Sequence, residues 1–128
     1  MSLELIGEFT GKNTVTRILP DGKMETSNQG MGKFFGIPAF IMSTAVVTIV
    51  DGIYRGEVNS LLNTMDGDTM MLKGNAVSWQ SGKGGITRAA SMQTTQSQKF
   101  TPVNKVIILH EYITDENGNW TGKLWEWK

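Results

Sequence analysis

The sequence predicts an all-β protein, a small antiparallel up-and-down barrel of eight or nine strands formed as one domain by residues 1–128. Runs of β-branched and aromatic residues alternate with turn dipeptides, and no stretch keeps the apolar period of a helix. Fifteen glycines and three prolines are scattered along the chain, which disfavours long helices. Beyond residue 51 the turn signals recur roughly every fifteen residues, apart from one longer connection, which is typical of an antiparallel meander.

Nine segments of the chain have the pattern of strands. In chain order they cover about residues 3–10, 14–19, 24–34, 39–50, 53–65, 69–80, 86–96, 105–115 and 120–128. The turn signals are PDGK at 20–23, DG at 51–52, DGD at 66–68, SGKGG at 81–85 and ENGN at 116–119. Asp-Gly and Asn-Gly supply the positive φ angles that tight hairpins require. Residues 95–104 form the long connection, where a single turn of helix is expected.

The last strand carries an unusual pair of aromatic residues. The sequence ends on GNWTGKLWEWK, with Trp125 and Trp127 close to the terminus, although chain ends are usually polar and frayed. A closed barrel explains them, because its last strand pairs with its first and leaves no exposed edge. The alternative is an edge strand whose tryptophans pack against a second subunit.

Composition restricts the classes of function. Twelve basic residues balance twelve acidic ones, so no net charge attracts nucleic acid or an anionic membrane. The longest apolar stretch, residues 37–50, is too short for a membrane-spanning helix. The first twelve residues lack the pattern of a signal peptide. We therefore expect a cytoplasmic protein with neither a nucleic-acid nor a membrane partner.

Metal and thiol chemistry are also disfavoured. The chain has no cysteine, which removes disulfides, thiolate nucleophiles and Cys-based zinc sites. His110 is the single histidine, whereas a zinc site needs three or four ligands. We expect no cofactor and no metal.

Two hairpins fix expected registers. A type I′ turn at Asp51-Gly52 sets Thr48 opposite Arg55, and it leaves Ala45, Val47 and Ile49 with Tyr54, Gly56 and Val58 as the core face. A two-residue turn at Asn117-Gly118 would set His110 opposite Trp125. A slip of one residue would exchange the two faces.

Three groups of polar residues are candidates for a site. Arg55, Glu57 and Asn59 share one face and form either a polar row in a cavity or a solvated outer surface. His110 titrates near neutrality, and Glu111 must face the other way because it is adjacent. Arg88 has small neighbours and would bind an anion or hold the loop 95–104. The expected ligand-binding residues are Arg55, Glu57, Asn59, Arg88, His110, Tyr112 and Trp125.

The second half of the chain resembles a known pattern. TMDGD at 64–68, Arg88, TTQSQKFTPVN at 94–104 and the closing aromatic hairpin are similar to small uncharacterised microbial proteins with a lipocalin-like or allene-oxide-cyclase-like barrel. The resemblance implies a barrel of lipocalin or calycin type and leaves the function open. It also implies that Arg88 and Asn104 tie the long loop to the sheet.

The function favoured by these observations is the binding of a small apolar molecule inside the barrel. Whether the protein is an enzyme stays open, and the first alternative is a cofactor-independent isomerase or cyclase acting in the same cavity. A third alternative is a filled barrel that serves as a subunit of a homo-oligomer. Catalysis would require His110 or Glu57 to lie beside a cavity and to have a shifted pKa, whereas binding needs only the cavity.

Overall fold

The turns and strands close into a ring in the computed structural model, which describes residues 1–128. Eight antiparallel strands form a barrel in which each strand pairs with the next in the chain and the last pairs with the first. The strands are β1 (Leu3–Ile18), β2 (Met24–Phe34), β3 (Ile37–Val50), β4 (Ile53–Thr64), β5 (Thr69–Ser81), β6 (Gly84–Thr94), β7 (Ile107–Thr114) and β8 (Asn119–Trp127). The predicted all-β, up-and-down barrel is confirmed.

The terminal aromatic strand closes the barrel. Trp127 pairs with Leu3 and Trp125 with Leu5, and the backbone N–H of Lys128 donates to the carbonyl of Ser2 at 2.8 Å. These pairs confirm that β8 is an interior member of the closed sheet. An edge strand at this position is therefore excluded.

The number of strands differs from nine because the first two segments are continuous. The predicted segments 3–10 and 14–19 both fall on β1, which ends at Ile18 and in which the register shifts between Asn13 and Val15. A bulge at this point bends the strand without ending it. The long connection does contain the expected helical segment, a 3₁₀ helix at Gln98–Lys105. No helix in the structure has the length and apolar character that a membrane-spanning helix needs.

The register of the β3–β4 hairpin is as predicted. Thr48 pairs with Arg55, and the turn residues Asp51 and Gly52 have φ angles of 52° and 76°, as a type I′ turn requires. Ala45 and Val47 consequently face the barrel interior. Ile49, at the end of the same row, is exposed.

The register of the β7–β8 hairpin is shifted by one residue from the prediction. The Asp115 carboxylate accepts hydrogen bonds from the backbone N–H groups of Asn117 and Asn119, and Gly118 has a φ of 82°. The loop is thus one residue longer than a type I′ turn, with a bulge at its glycine. His110 pairs with Leu124 instead of Trp125, which moves Trp125 to the outer face.

One end of the barrel is filled with side chains. Phe100 and Val103 of the 3₁₀ helix are buried against inward-facing residues of the strands, with the rings of Phe100 and Phe34 at a centroid distance of 5.4 Å. We call this closed end the floor. The hydrophobic core of the barrel comprises Ile6, Phe9, Phe34, Ala39, Ile41, Leu62, Met70, Leu72, Phe100, Val103, Ile108, Trp120 and Leu124. The other half of the interior is not filled.

Candidate functional site

A cavity of about 390 Å³ occupies the barrel interior opposite the floor. It exists because the inward positions of the central strands carry small residues, namely Ala45, Gly74, Ala76 and Ala89, where the floor carries Phe, Leu and Met. Larger side chains line the remainder: Met24, Tyr54, Val58, Leu72, Tyr112 and Trp120. The volume lies in the range of pockets that enclose small organic ligands.

Charged side chains lie only at the rim of this cavity. Lys83, Asp115 and Glu116 line its mouth, between β5 and β6 and between β7 and β8. The polar groups deeper inside are neutral hydroxyls and amides. Two of them, Ser43 and Ser60, bond each other across β3 and β4 at 2.6 Å. The cavity interior is consequently uncharged.

A buried hydrogen-bonded chain begins at the cavity wall. Tyr112 Oη lies 2.9 Å from His110 Nδ1, and His110 Nε2 lies 2.7 Å from Ser91 Oγ. His110 and Tyr112 are two residues apart on β7 and therefore face the same side. The β6–β7 register, in which Ala89 pairs with His110, places Ser91 within reach of the ring.

The path of hydrogen bonds continues from Ser91 to the floor. Ser91 Oγ donates to Gln93 Oε1 at 2.7 Å, and Gln93 Nε2 donates to the carbonyls of Val103 and Val106 at 3.1 and 2.9 Å. Val103 lies within the 3₁₀ helix and Val106 is its C-terminal cap. A continuous path thus connects the backbone of the floor with the hydroxyl of Tyr112.

Burial determines the protonation states in this chain. His110 is only 5% exposed, and desolvation lowers its pKa from 6.5 to about 4, so the imidazole is neutral at pH 7. Desolvation also raises the pKa of the Tyr112 phenol above its ordinary value of 10. Neither group is charged near neutrality.

Two buried polar atoms in the cavity lining have no hydrogen-bond partner in the protein. They are Trp120 Nε1 and Thr26 Oγ1. Trp120 is 4% exposed, and its indole lies over Gly11 and Gly30, where any β-carbon would stand 2.4 and 2.6 Å from ring atoms. Both atoms are fully buried, and an unpaired buried polar group costs about 1–3 kcal/mol.

The seven residues predicted to bind a ligand divide into two sets. His110 and Tyr112 line the cavity. The other five lie on the outer face of the barrel, which corrects their predicted place in the lining: Arg55, Glu57, Asn59, Arg88 and Trp125. A role of any of the seven residues in ligand binding stays a prediction.

The outer residues have contacts of their own. Arg88 Nε donates to the Glu111 carboxylate at 3.1 Å, and its guanidinium lies 5.4 Å from the ring centroid of Trp79. Arg88 thus does not hold the loop 95–104, contrary to what the resemblance implies. Asn104 does, because its side chain accepts from the N–H of Thr95 at 2.9 Å and donates to the carbonyl of Thr95 at 3.0 Å.

Sequence reasoning missed three residues of the site, namely Ser91, Gln93 and Trp120. Ser91 and Gln93 carry the same signal that singled out Arg55, Glu57 and Asn59, polar residues separated by one. Their partnership with His110 depends on the β6–β7 register, which no tight turn in the sequence fixes. No group of three or more His, Asp or Glu side chains is placed to hold a metal ion.

Comparison with known proteins identifies the fold. No protein-family model matches the sequence, and neither does any curated protein. The chain is similar in structure to a conserved protein of unknown function from Rhodopseudomonas palustris, with a TM-score of 0.80, 8% identity and coverage of 98% of this chain and 95% of that chain. A protein of unknown function from Clostridium acetobutylicum gives a TM-score of 0.78 at 12% identity, with both chains fully covered.

Two further structures extend the comparison. A β-barrel-like protein from Acinetobacter baumannii gives a TM-score of 0.79 at 12% identity, with coverage of 100% of this chain and 98% of that chain. A protein from Penicillium herquei described as an enzyme gives a TM-score of 0.68 at 17% identity, with coverage of 98% and 92%. At these identities the likeness shows the fold alone. It confirms the resemblance to small uncharacterised proteins with a β-barrel fold.

Proposed function

We propose that the protein binds a small, uncharged and mainly apolar molecule inside the barrel. The observation that carries this proposal is the cavity of about 390 Å³ whose interior holds no charged side chain. A charged ligand would lose its hydration there without an opposite charge to compensate. A neutral ligand would instead gain from burial against the apolar walls.

The entrance supports the same function. Lys83, Asp115 and Glu116 keep the rim hydrated, while the floor closes the opposite end with the buried side chains of Phe100 and Val103. A ligand would therefore enter from one side and lie between the aromatic residues and the small residues of the central strands. The assignment to the lipocalin or calycin type is part of this proposal.

Native mass spectrometry of the purified protein tests the proposal directly. We expect a mass increment of one small molecule per chain, released by denaturing extraction and identified as a neutral compound. Where the protein is purified empty, titration with 2-naphthol by calorimetry should show saturable binding of one molecule. An empty protein that binds no neutral aromatic probe would contradict the proposal.

The second candidate is a cofactor-independent isomerase or cyclase in the same cavity. Tyr112 and His110 favour it, because a substrate hydroxyl that passes its proton to Tyr112 Oη would let Tyr112 pass its own proton to His110 Nδ1. Binding is nevertheless favoured, because a histidine with a pKa of about 4 is a weak base at neutral pH.

Proton exchange distinguishes the two candidates. The extracted molecule is incubated with the protein in D₂O, and its carbon-bound protons are followed by NMR. Binding alone predicts no exchange above the rate without protein. Exchange that the wild type accelerates and His110→Gln does not would establish catalysis.

The third candidate, a structural subunit of a homo-oligomer, is favoured by apolar side chains on the outer face. Leu3, Leu5, Met92 and Trp127 are exposed around the β1–β8 seam and the adjoining strands. Light scattering after size exclusion should give a dimer or larger assembly, and Trp127→Lys should dissociate it. A cytoplasmic location and the absence of nucleic-acid and membrane partners stay predictions from the sequence.

A further inference from the structure

We propose that the cavity selects a ligand that donates a hydrogen bond to Tyr112 Oη, such as a neutral hydroxyl or N–H compound, in preference to ethers, esters and ketones. This inference rests on the proposed binding function and adds the chemical class of the ligand. It follows from the direction of every hydrogen bond between the floor and Tyr112.

The direction is fixed at the floor by Gln93. Its amide group faces the carbonyl oxygens of Val103 and Val106, at 3.1 and 2.9 Å. Carbonyl oxygens only accept, so the side-chain nitrogen must face them and use both of its protons there. Gln93 Oε1 is left facing Ser91, where it can only accept.

Ser91 passes this direction to His110. The single hydroxyl proton of Ser91 is used on Gln93 Oε1 at 2.7 Å, so Ser91 Oγ can only accept from His110 Nε2, also at 2.7 Å. His110 therefore carries its proton on Nε2. Because the buried imidazole is neutral, Nδ1 has no proton and must accept.

Tyr112 is the last member of the hydrogen-bonded path that starts at Gln93. Its hydroxyl proton goes to His110 Nδ1 at 2.9 Å, so Oη has only lone pairs left, and the protein offers them no donor. A ligand beside Oη thus finds an acceptor and no donor. A ketone or ether oxygen at this position would face those lone pairs and be repelled.

Trp120 packs against Tyr112 from the side. Its indole stands edge-on to the Tyr112 ring at a centroid distance of 5.3 Å, and its own Nε1 is fully buried. The group offered to a ligand is therefore the acceptor Tyr112 Oη. Hydroxylated aromatic compounds and amides can donate to it, whereas pure hydrocarbons cannot.

Three matched probes test the inference on the full-length protein by calorimetry at pH 7. Naphthalene has no polar group, 2-methoxynaphthalene only accepts, and 2-naphthol both donates and accepts. We expect 2-naphthol to bind about fivefold to tenfold more tightly than 2-methoxynaphthalene, as one additional hydrogen bond implies. Tyr112→Phe should remove this preference. Tyr54→Phe should keep it, because Tyr54 lines the cavity but does not belong to the hydrogen-bonded path from Gln93 to Tyr112.

A second variant tests the donor-to-acceptor direction of these hydrogen bonds without altering Tyr112. Ser91→Ala leaves Nε2 without a partner, so the proton of His110 can move to Nδ1 and be donated to Tyr112 Oη. The tyrosine hydroxyl is then free to donate into the cavity. The preference for 2-naphthol over 2-methoxynaphthalene should shrink at least threefold, in part because 2-methoxynaphthalene binds more tightly.

The outcomes separate the inference from the function on which it rests. Equal affinities for 2-naphthol and 2-methoxynaphthalene in the wild type would overturn the donor requirement and leave neutral ligand binding intact. An unchanged preference in Tyr112→Phe would also overturn it. If none of the three probes binds, the proposed function fails, and this inference fails with it.

Discussion

Tyr112 lies directly across the sheet from Gly122, and its ring covers the place where a side chain at residue 122 would stand. A β-carbon on Gly122 would lie 2.5 Å from Tyr112 Cδ1, which is shorter than any real contact. The absence of a side chain at position 122 of β8 thus leaves room for the Tyr112 ring in the position from which it reaches His110. Gly122 is for this reason part of the site although it has no side chain.

Gly122→Ala should displace the Tyr112 ring and break its hydrogen bond to His110. We expect the free energy of unfolding to fall by about 1–3 kcal/mol, as overpacking of a rigid ring implies. Urea denaturation measures this loss. Gly85→Ala is the matched control, because its β-carbon would meet only the Trp79 carbonyl at 3.3 Å. Equal losses in the two variants would contradict the assigned role of Gly122.

His110 should make the barrel sensitive to mild acid. Its pKa in the folded state, about 4, is lower than its ordinary value of 6.5, so the unfolded chain takes up the proton first. The free energy of unfolding linked to His110 is fully present above pH 6.5. It falls as the pH drops below 6.5 and levels off below about pH 4. Between pH 7 and pH 4.5 the loss should be about 2 kcal/mol.

Urea denaturation at pH 7 and pH 4.5 measures this slope, and His110→Gln provides the comparison. The variant lacks the titrating group and should lose little stability between these two pH values. The carboxyls of Asp68 and Asp115 do not obscure the result, because their pKa values lie below the ordinary 3.8 and below the window. A wild-type slope as flat as that of the variant would show that His110 takes up protons while folded.

Asn104→Ala should loosen the floor without opening the barrel. The substitution removes both side-chain hydrogen bonds to the backbone of Thr95 and should cost about 1–2 kcal/mol. Hydrogen exchange should accelerate in residues 95–106 and stay slow in the central strands. Asn75→Ala, at an exposed asparagine, should change neither quantity. Uniform acceleration throughout the barrel would argue against a local role.

Filling the cavity should abolish ligand binding. Ala76 faces inward, so Ala76→Phe places a ring in the space proposed for the ligand. We expect the affinity for 2-naphthol to fall more than tenfold, while the thermal midpoint is maintained because the cavity accepts the added volume. Ala90→Phe on the outer face is the control and should bind as the wild type does. Retained binding in Ala76→Phe would place the ligand elsewhere.

Local rules predicted those parts of the fold that depend on local chemistry. The Asp51-Gly52 turn has its positive φ angles and sets the β3–β4 register as expected. The aromatic character of Trp125 and Trp127 correctly indicated a strand inside a closed sheet. The turn is determined by a few neighbouring residues, and the tryptophans stand out locally because chain ends are usually polar.

The errors arose where side chains or distant strands decide the outcome. The Asp115 carboxylate binds two backbone N–H groups and lengthens the last loop by one residue, which exchanges the faces of β8. The row Arg55, Glu57 and Asn59 fits either face by its spacing, and only the closure of the whole barrel assigns it to the outside. The path from Gln93 to Tyr112 likewise depends on a pairing between β6 and β7.

The seam between β1 and β8 has a consequence for biosynthesis. Leu3 and Trp127 are nearly the whole chain apart, so the ring cannot close until the final strand has left the ribosome. Until then the nascent sheet exposes two unpaired edges, each able to pair with another chain. Because such a distant contact is also slow to form, closure should limit the folding rate and define the interval in which a chaperone is most useful.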